Sequence, residues 1–446
     1  MNPQSMSSEQ VRDDFIPKDA YFSREFAFQE RERLWPRVWQ VACRLEEIPD
    51  EGDFATYDIL DDSIIVVRSD SNTIRAFHNV CPHRGRRLTE GCGRATQFVC
   101  RFHGWKWNRQ GENIHVVDRE DWGGCLHDDD IRLKEVLVDT WGGFVFINMD
   151  PAAKPLADFL EPIASRCGKF RFEDLRYKWY RTVHLNVNWK VALETFSEGY
   201  HTQQAHPQLM KFQKDNFQSA GYGRHGAFWV PKLPPGASRY GPSDRTGLKP
   251  DSDVRTYLMA MVDEYYHQLD AMITERSYEA AKRVMAEVSA DASGEEVAAR
   301  WNEFRREAAA REGIEWPEYD PQYHWDSHID WHLFPNSVFL HGFVDGVLWY
   351  RARPEGDDPN RCIFDIWSLQ RYGPGKEPPL KRETYDKIDS SQWGRIFMQD
   401  FVNIPEVHRG MKSRAFVGAR PNPVQERAVS NFHRALRETL AEDMNH

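Results

Sequence analysis

Two cysteines and two histidines, interleaved as Cys81-Pro-His83 and Cys100-Arg-Phe-His103, constrain this chain more than any other feature. Thiolates and imidazoles brought together in this way form a metal cage, and a cage fixes the path of the backbone on both sides of it. The flanks "FHNVCPHRG" and "FVCRFHGW" each read as an apolar strand running into a tight loop, with Gly85 and Gly104 as punctuation. The expected object is a pair of matched loops gripping one centre.

Two centres accept two cysteines and two histidines. One is a tetrahedral structural zinc. The other is a Rieske [2Fe–2S] cluster, where both cysteines hold one iron and both histidines the second. Ligand count does not separate them, but order favours the cluster. A common zinc finger takes its cysteines from one half and its histidines from the other, whereas here each loop supplies one of each. Cys92 lies in the spacer without a histidine at matching distance and reads as a bystander. The seven cysteines are an odd number in a long chain with no visible export signal, which argues against a disulfide framework.

C-x-H followed by C-x-x-H-G-W resembles the Rieske domain of the ring-hydroxylating non-haem iron oxygenases, large subunit. The resemblance implies a [2Fe–2S] cluster on Cys81, His83, Cys100 and His103. A free Rieske ferredoxin shows the same motif in about 100 residues, so the decision rests on the chain beyond residue 150.

There, "NWKVALETFSEGYHTQQAHPQ" changes from a strand-like to a helical pattern. Trp189, Leu193, Phe196 and Tyr200 recur every three to four residues. Glu194, Glu198 and His201 fall together on another side. His206 lies about 140° of helical turn from His201, so a shared metal requires the helix to loosen after His201, and Pro207 suits such an ending. Glu198-x-x-His201-x-x-x-x-His206 is similar to the family's catalytic motif. The resemblance implies that His201 and His206 ligate a mononuclear iron and that Glu198 bridges to the cluster. The family more often places Asp at the bridge, so Glu198 departs from it by one methylene.

A facial triad of two histidines and a carboxylate needs a third ligand. In "SQWGRIFMQDFVNIPEVHRG", Trp393, Phe397, Phe401 and Ile404 form an apolar stripe with Asp400 inside it. A carboxylate on a buried face is costly unless it is paired or on a metal, and the family's late carboxylate ligand matches Asp400. Asp345 and Asp365 are weaker rivals. "GYGRHG", Gly221 to Gly226, spells a dinucleotide fingerprint but is followed by prolines instead of a helix, so nicotinamide binding is not expected.

The fold class expected is α+β. Residues 1–38 read as a helical segment packing on the catalytic domain, 39–150 as a small all-β Rieske domain, and 151–446 as the catalytic domain with an antiparallel sheet, which the resemblance implies is wrapped around helices in a helix-grip-like manner. Within the last, 231–318 reads as an insertion: a Pro/Gly-rich loop over 231–250, a helical stripe from Leu258 to Met272, and a helix opening at Ser293 with Glu296 three residues on. It stands either over the substrate entrance or as peripheral or oligomer packing.

The 446 residues include 16 Trp and 26 Phe, ample apolar surface for such domains. No run approaches the ~20 apolar residues of a membrane span, the start lacks a signal-peptide layout, and a net charge of −11 disfavours nucleic acid. A cytoplasmic protein is expected. The resemblance implies a terminal oxygenase. It uses O2 and electrons from a separate ferredoxin or reductase to hydroxylate an aromatic or other apolar ring. The alternative is a monooxygenase or demethylase of a non-aromatic substrate; an electron-transfer protein and a zinc-binding protein are the remaining classes. It also implies a head-to-tail homotrimer, with or without a small β subunit, in which His103 of one subunit reaches Glu198 and His201 of the next.

Overall fold

The computed structural model describes residues 14–212, 217–231 and 253–441. The expected Pro/Gly-rich loop falls almost wholly outside them. The first helices, Asp19–Phe22 and Arg24–Gln29, run into a π-turn over Glu30–Leu34. Buried Glu30 pairs with buried Lys190 Nζ at 2.6 Å, and Tyr21 donates to Glu194 Oε2 at 2.9 Å. The leading segment is thereby tied to the region around residues 189–194.

Seven antiparallel strands form the first sheet, in the order Gln40–Arg44, Phe144–Asn148, Glu135–Trp141, Ile74–His78, Asp62–Arg68, Asp53–Ile59 and Cys92–Arg94. A three-stranded sheet of Phe98–Val99, Lys106–Trp107 and Asn113–His115 stands beside it. Phe54, Ile65, Phe77, Phe98, Trp105 and Trp107 fill a core of their own, and Cys81 and Cys100 are buried within it.

The second sheet has eight strands: Gln218–Tyr222, His225–Trp229, Asp330–Leu333, Ser337–Leu340, Gly346–Pro354, Cys362–Arg371, Leu175–Leu185 and Arg382–Tyr385. Its neighbours are antiparallel except the last pair, which is parallel. The false fingerprint at 221–226 is the Gln218–Tyr222/His225–Trp229 hairpin, with Tyr222 paired to His225. Helix Arg395–Met411 turns Ile396, Phe397, Asp400, Phe401, Ile404 and His408 inward, and Phe397 meets Tyr350 of the sheet at a ring distance of 6.5 Å. Each buried aromatic or aliphatic side chain on that stripe contributes roughly 1.5–3 kcal/mol, which holds Asp400 at the inner face. No described helix is long and apolar enough to cross a membrane.

Between residues 253 and 318 lie helices Val254–Glu264, Glu275–Glu287 and Gly294–Arg311. Ser293 caps the third by accepting from the Glu296 amide at 3.2 Å, as its sequence predicts. The expected stripe to Met272 is shorter in fact: the helix widens to a π-turn over Tyr265–Leu269 and stops at Asp270, which is left-handed at φ 56°. Helix Glu275–Glu287 has no counterpart in the sequence reading.

Candidate metal centres

The two cage loops are built alike. In the first, the Cys81 amide donates to Arg86 O and the Gly85 amide to Cys81 O, both at 2.9 Å. In the second, the Cys100 amide donates to Trp105 O at 2.8 Å and the Gly104 amide to Cys100 O at 2.9 Å. Gly85 and Gly104 have φ of 77° and 74°, the left-handed conformation these turns require. The rings of His83 and His103 approach to 4.6 Å, and His83 stacks on Trp105 at 4.8 Å. Nδ1 of each histidine is buried without a hydrogen-bond partner. Two buried thiols and two orphaned imidazole nitrogens are the donor set of a Rieske cluster, and the cage fits it. Cys92 is exposed on its strand, away from this core.

The second site departs from the expected helix. Helix Trp189–Glu194 is capped by Asn188 and ends after six residues. Thr195 and Ser197 donate their hydroxyls to the carbonyls of Val191 and Leu193, a back-bonding that competes with helix continuation. At Gly199 a Cβ would stand 2.5 Å from the Phe217 ring, so only glycine permits this close approach. The chain therefore loosens before His201, not after it, and resumes as the short helix Thr202–Ala205. Tyr200 is 53% exposed and leaves the apolar stripe that the periodicity assigns it.

Glu198 sits in this break and not on a helix face. Its Oε2 accepts from the Tyr200 and His201 amides, and its Oε1 accepts from His201 Nδ1–H at 2.6 Å. His206 Nδ1–H donates to Gln399 Oε1 at 2.8 Å. Both imidazoles thus turn Nε2 toward Asp400 Oδ1, at 3.6 Å for His201 and 2.9 Å for His206. The ligand atoms of His201, His206 and Asp400 all lie within 4.8 Å of one another. Histidines that donate one N–H to an acceptor and face a carboxylate with the other nitrogen are the usual preparation for a metal, and the triad fits iron(II). Burial works against a charged imidazole at His201, but Glu198 and then Asp400 outweigh it and raise its pKa to about 9. Two carboxylates here favour a cation.

Gln399 was not singled out by the sequence. Gln208 and Gln399 exchange hydrogen bonds at 2.7 and 3.0 Å, which fixes the acceptor that aims His206. Its only signal is its place one residue before Asp400. The rival carboxylates are occupied elsewhere: Asp345 with Arg305 at 2.7 Å and Arg276 at 3.1 Å, and Asp365 with Arg351 at 2.6 Å. Glu194 also points away from the triad, to Tyr21 and His433.

A cavity of about 140 Å³ adjoins the triad. Phe196, Phe217, Phe228, Tyr265, Phe343 and Tyr350 give it aromatic walls, and no Lys or Arg is among the described residues that line it.

Residues 38–121 match the Rieske [2Fe–2S] domain, and residues 172–442 match the catalytic domain of the ring-hydroxylating alpha subunits. The chain is 31% identical over 195 residues to the carnitine monooxygenase oxygenase subunit of Escherichia coli K12, covering 43% of this chain and 52% of that one. It is 33% identical over 200 residues to the glycine betaine monooxygenase oxygenase subunit of Chromohalobacter salexigens, covering 44% of each. The chain thus spans about half the length of the curated relatives it matches. In fold it is similar to a quaternary ammonium Rieske monooxygenase, with a TM-score of 0.64 at 17% identity over 97% of this chain and 96% of that one. Naphthalene 1,2-dioxygenase from Rhodococcus sp. gives 0.61 at 18% identity over 96% and 95%. Matched loops, a two-histidine and carboxylate site and both domain matches lead to one conclusion: this chain belongs to the family of Rieske-type ring-hydroxylating alpha subunits.

Proposed function

We propose that the protein is a terminal monooxygenase that oxidises a small compound bearing a trimethylammonium or similarly compact cationic group. The cavity carries this reading. An apolar cavity of about 150 Å³ takes one benzene-sized group, so 140 Å³ beside the triad suits a group no larger. Aromatic faces attract such a cation, the Glu198 and Asp400 carboxylates favour it, and no Lys or Arg is among the described lining residues. The relatives named for carnitine and glycine betaine support the same class. The expected aromatic ring gives way here to its non-aromatic alternative, although a single ring would also fit by size.

In this reading Cys81, His83, Cys100 and His103 hold the cluster, and His201, His206 and Asp400 hold the mononuclear iron. When bound, the cluster supplies electrons one at a time and the iron is where dioxygen reacts. The chain's own residues do the rest. The apolar walls exclude water and place a C–H bond next to nitrogen toward the triad. One oxygen atom of O2 enters that C–H bond and the other leaves as water, with two electrons from the cluster's donor and two protons. The new hydroxyl then loses its proton as the C–N bond breaks, which gives an amine and an aldehyde. Glu198 keeps His201 in one tautomer and, in a head-to-tail trimer, receives the neighbouring His103. A separate ferredoxin or reductase supplies the electrons.

The test is a single turnover of pre-reduced protein with oxygen and carnitine, glycine betaine, choline or benzene, with products identified by mass spectrometry. Amine and aldehyde from a trimethylammonium compound support the reading. Oxygenated benzene with all three trimethylammonium compounds untouched overturns it.

A further inference from the structure

A second, larger cavity of about 1040 Å³ lies under helix Gly294–Arg311, with Trp229, Trp301, Trp316, Tyr319 and Trp325 among its walls. It shares Ile329, Gly342 and Phe343 with the inner cavity beside the triad. These residues are partly exposed, whereas Val344 and Asp345 next to them are buried. Ile329, Gly342 and Phe343 therefore stand where the two cavities meet, and form the wall they share.

The wall is held in an unfavourable backbone. Asp345 N donates to Phe343 O at 2.6 Å, closing a three-residue turn around Val344, whose φ is 65°. Ile273 N donates to Ala271 O at 2.7 Å around Met272, φ 66°, and Met272 lines the inner cavity. Turns of this kind are rare, and a β-branched residue at positive φ is an outlier. Such conformations persist where their surroundings fix them. Here the fixing group is Asp345. It accepts from Arg305 Nη2 at 2.7 Å, Arg276 Nη1 at 3.1 Å and Thr274 Oγ1 at 2.8 Å. Arg305 also donates to the Phe343 carbonyl. Phe343 packs its ring at 5.8 Å from Tyr265 and 6.1 Å from Trp301. The helices between 253 and 318 supply Arg276, Trp301 and Arg305, so they hold the wall.

We propose that Ile329, Gly342 and Phe343 form the constriction through which substrate passes from the outer aromatic cavity to the inner one, with Phe343 as gate and the Asp345–Arg305–Arg276 cluster as its positioning device. Size selection then occurs at Phe343, and charge preference arises inside. Gly342 leaves the opening unfilled. A Cβ there would sit 3.5 Å from Ile329 Cγ2, ordinary contact, so Gly342→Ala fits the fold yet narrows the passage.

The test uses the metal-loaded protein and two probes of nearly equal shape, choline and 3,3-dimethylbutan-1-ol, with entry and exit followed by stopped-flow tryptophan fluorescence. Phe343→Ala is expected to raise the entry rate of both probes about ten-fold, and Gly342→Ala to lower entry and exit together several-fold with Kd held within about two-fold. Arg305→Leu should raise entry as Phe343→Ala does, with Arg305→Lys nearer wild type. Unchanged entry rates in both wall variants overturn the gate. A shifted Kd at constant entry rate does so too, since it makes these residues ordinary contacts. The gate acts on both probes alike, so a preference between them reports only on the cationic substrate reading.

Discussion

Glu198 Oε1 accepts from His201 Nδ1 at 2.6 Å, while Glu198 Oε2 takes the amides of Tyr200 and His201. One side chain thus closes the break in the chain and orients the triad histidine. Glu198→Gln keeps an acceptor for Nδ1 but loses the charge. Both metal sites should remain loaded, while oxidation of the pre-reduced cluster slows at least ten-fold with a compound that wild type converts. Rapid-mixing absorbance measures this. Oxidation at the wild-type rate would show that electrons take another path.

Gln399 holds His206 as Glu198 holds His201. Gln399→Leu should weaken iron binding roughly 10–100-fold, with the cluster spectrum intact. Competition with an iron chelator measures the loss, and wild-type affinity in the variant would remove Gln399 from the site.

The buried carboxylates separate by role. Removing one partner of a buried pair costs about 3–5 kcal/mol. Asp345→Asn should therefore lower the denaturation midpoint and keep the mononuclear iron, because Asp345 serves Arg305 and Arg276. Asp400→Asn should do the reverse. Iron loss in the Asp345 variant with retention in the Asp400 variant would reassign the third ligand.

Acid should destabilise the fold well above the carboxylate range. Burial lowers the pKa of His225 to about 4 and of His332 and His341 to about 3. Unfolded, each binds a proton near pH 6.5, so the unfolded state gains protons first as pH falls. Stability is full above about 6.5 and declines toward pH 4 by up to ~1.4 kcal/mol per pH unit for each histidine. Glu426, raised to about 7 by burial, opposes one of the three between pH 7 and its ordinary value of 4.5. Denaturant midpoints across pH 7 to 4.5 should fall; a flat or rising trend contradicts this.

The cage was legible in the sequence because its chemistry is local: each loop carries its ligands and its glycine within five residues. The triad histidines were legible by motif, but their geometry was not. Periodicity extends a helix through Glu198, whereas the hydroxyls of Thr195 and Ser197 and the packing of Phe217 on Gly199 end it. Helix Glu275–Glu287 escaped notice because its inner face is Arg276, Ser277, Ala280, Ala281 and Val284, small or charged residues that make no apolar stripe. Gln399 and the wall at Gly342 and Phe343 depend on contacts between distant segments, which no local pattern records.

The central claim is that one chain carries a cluster cage and a separate mononuclear site, and counting metal tests it most directly. Wild-type protein should hold about three iron atoms and two acid-labile sulfides per chain. His201→Ala should hold about two of each, with an unchanged Rieske absorption spectrum. Stoichiometric zinc without sulfide, or wild-type iron content in His201→Ala, would contradict the account.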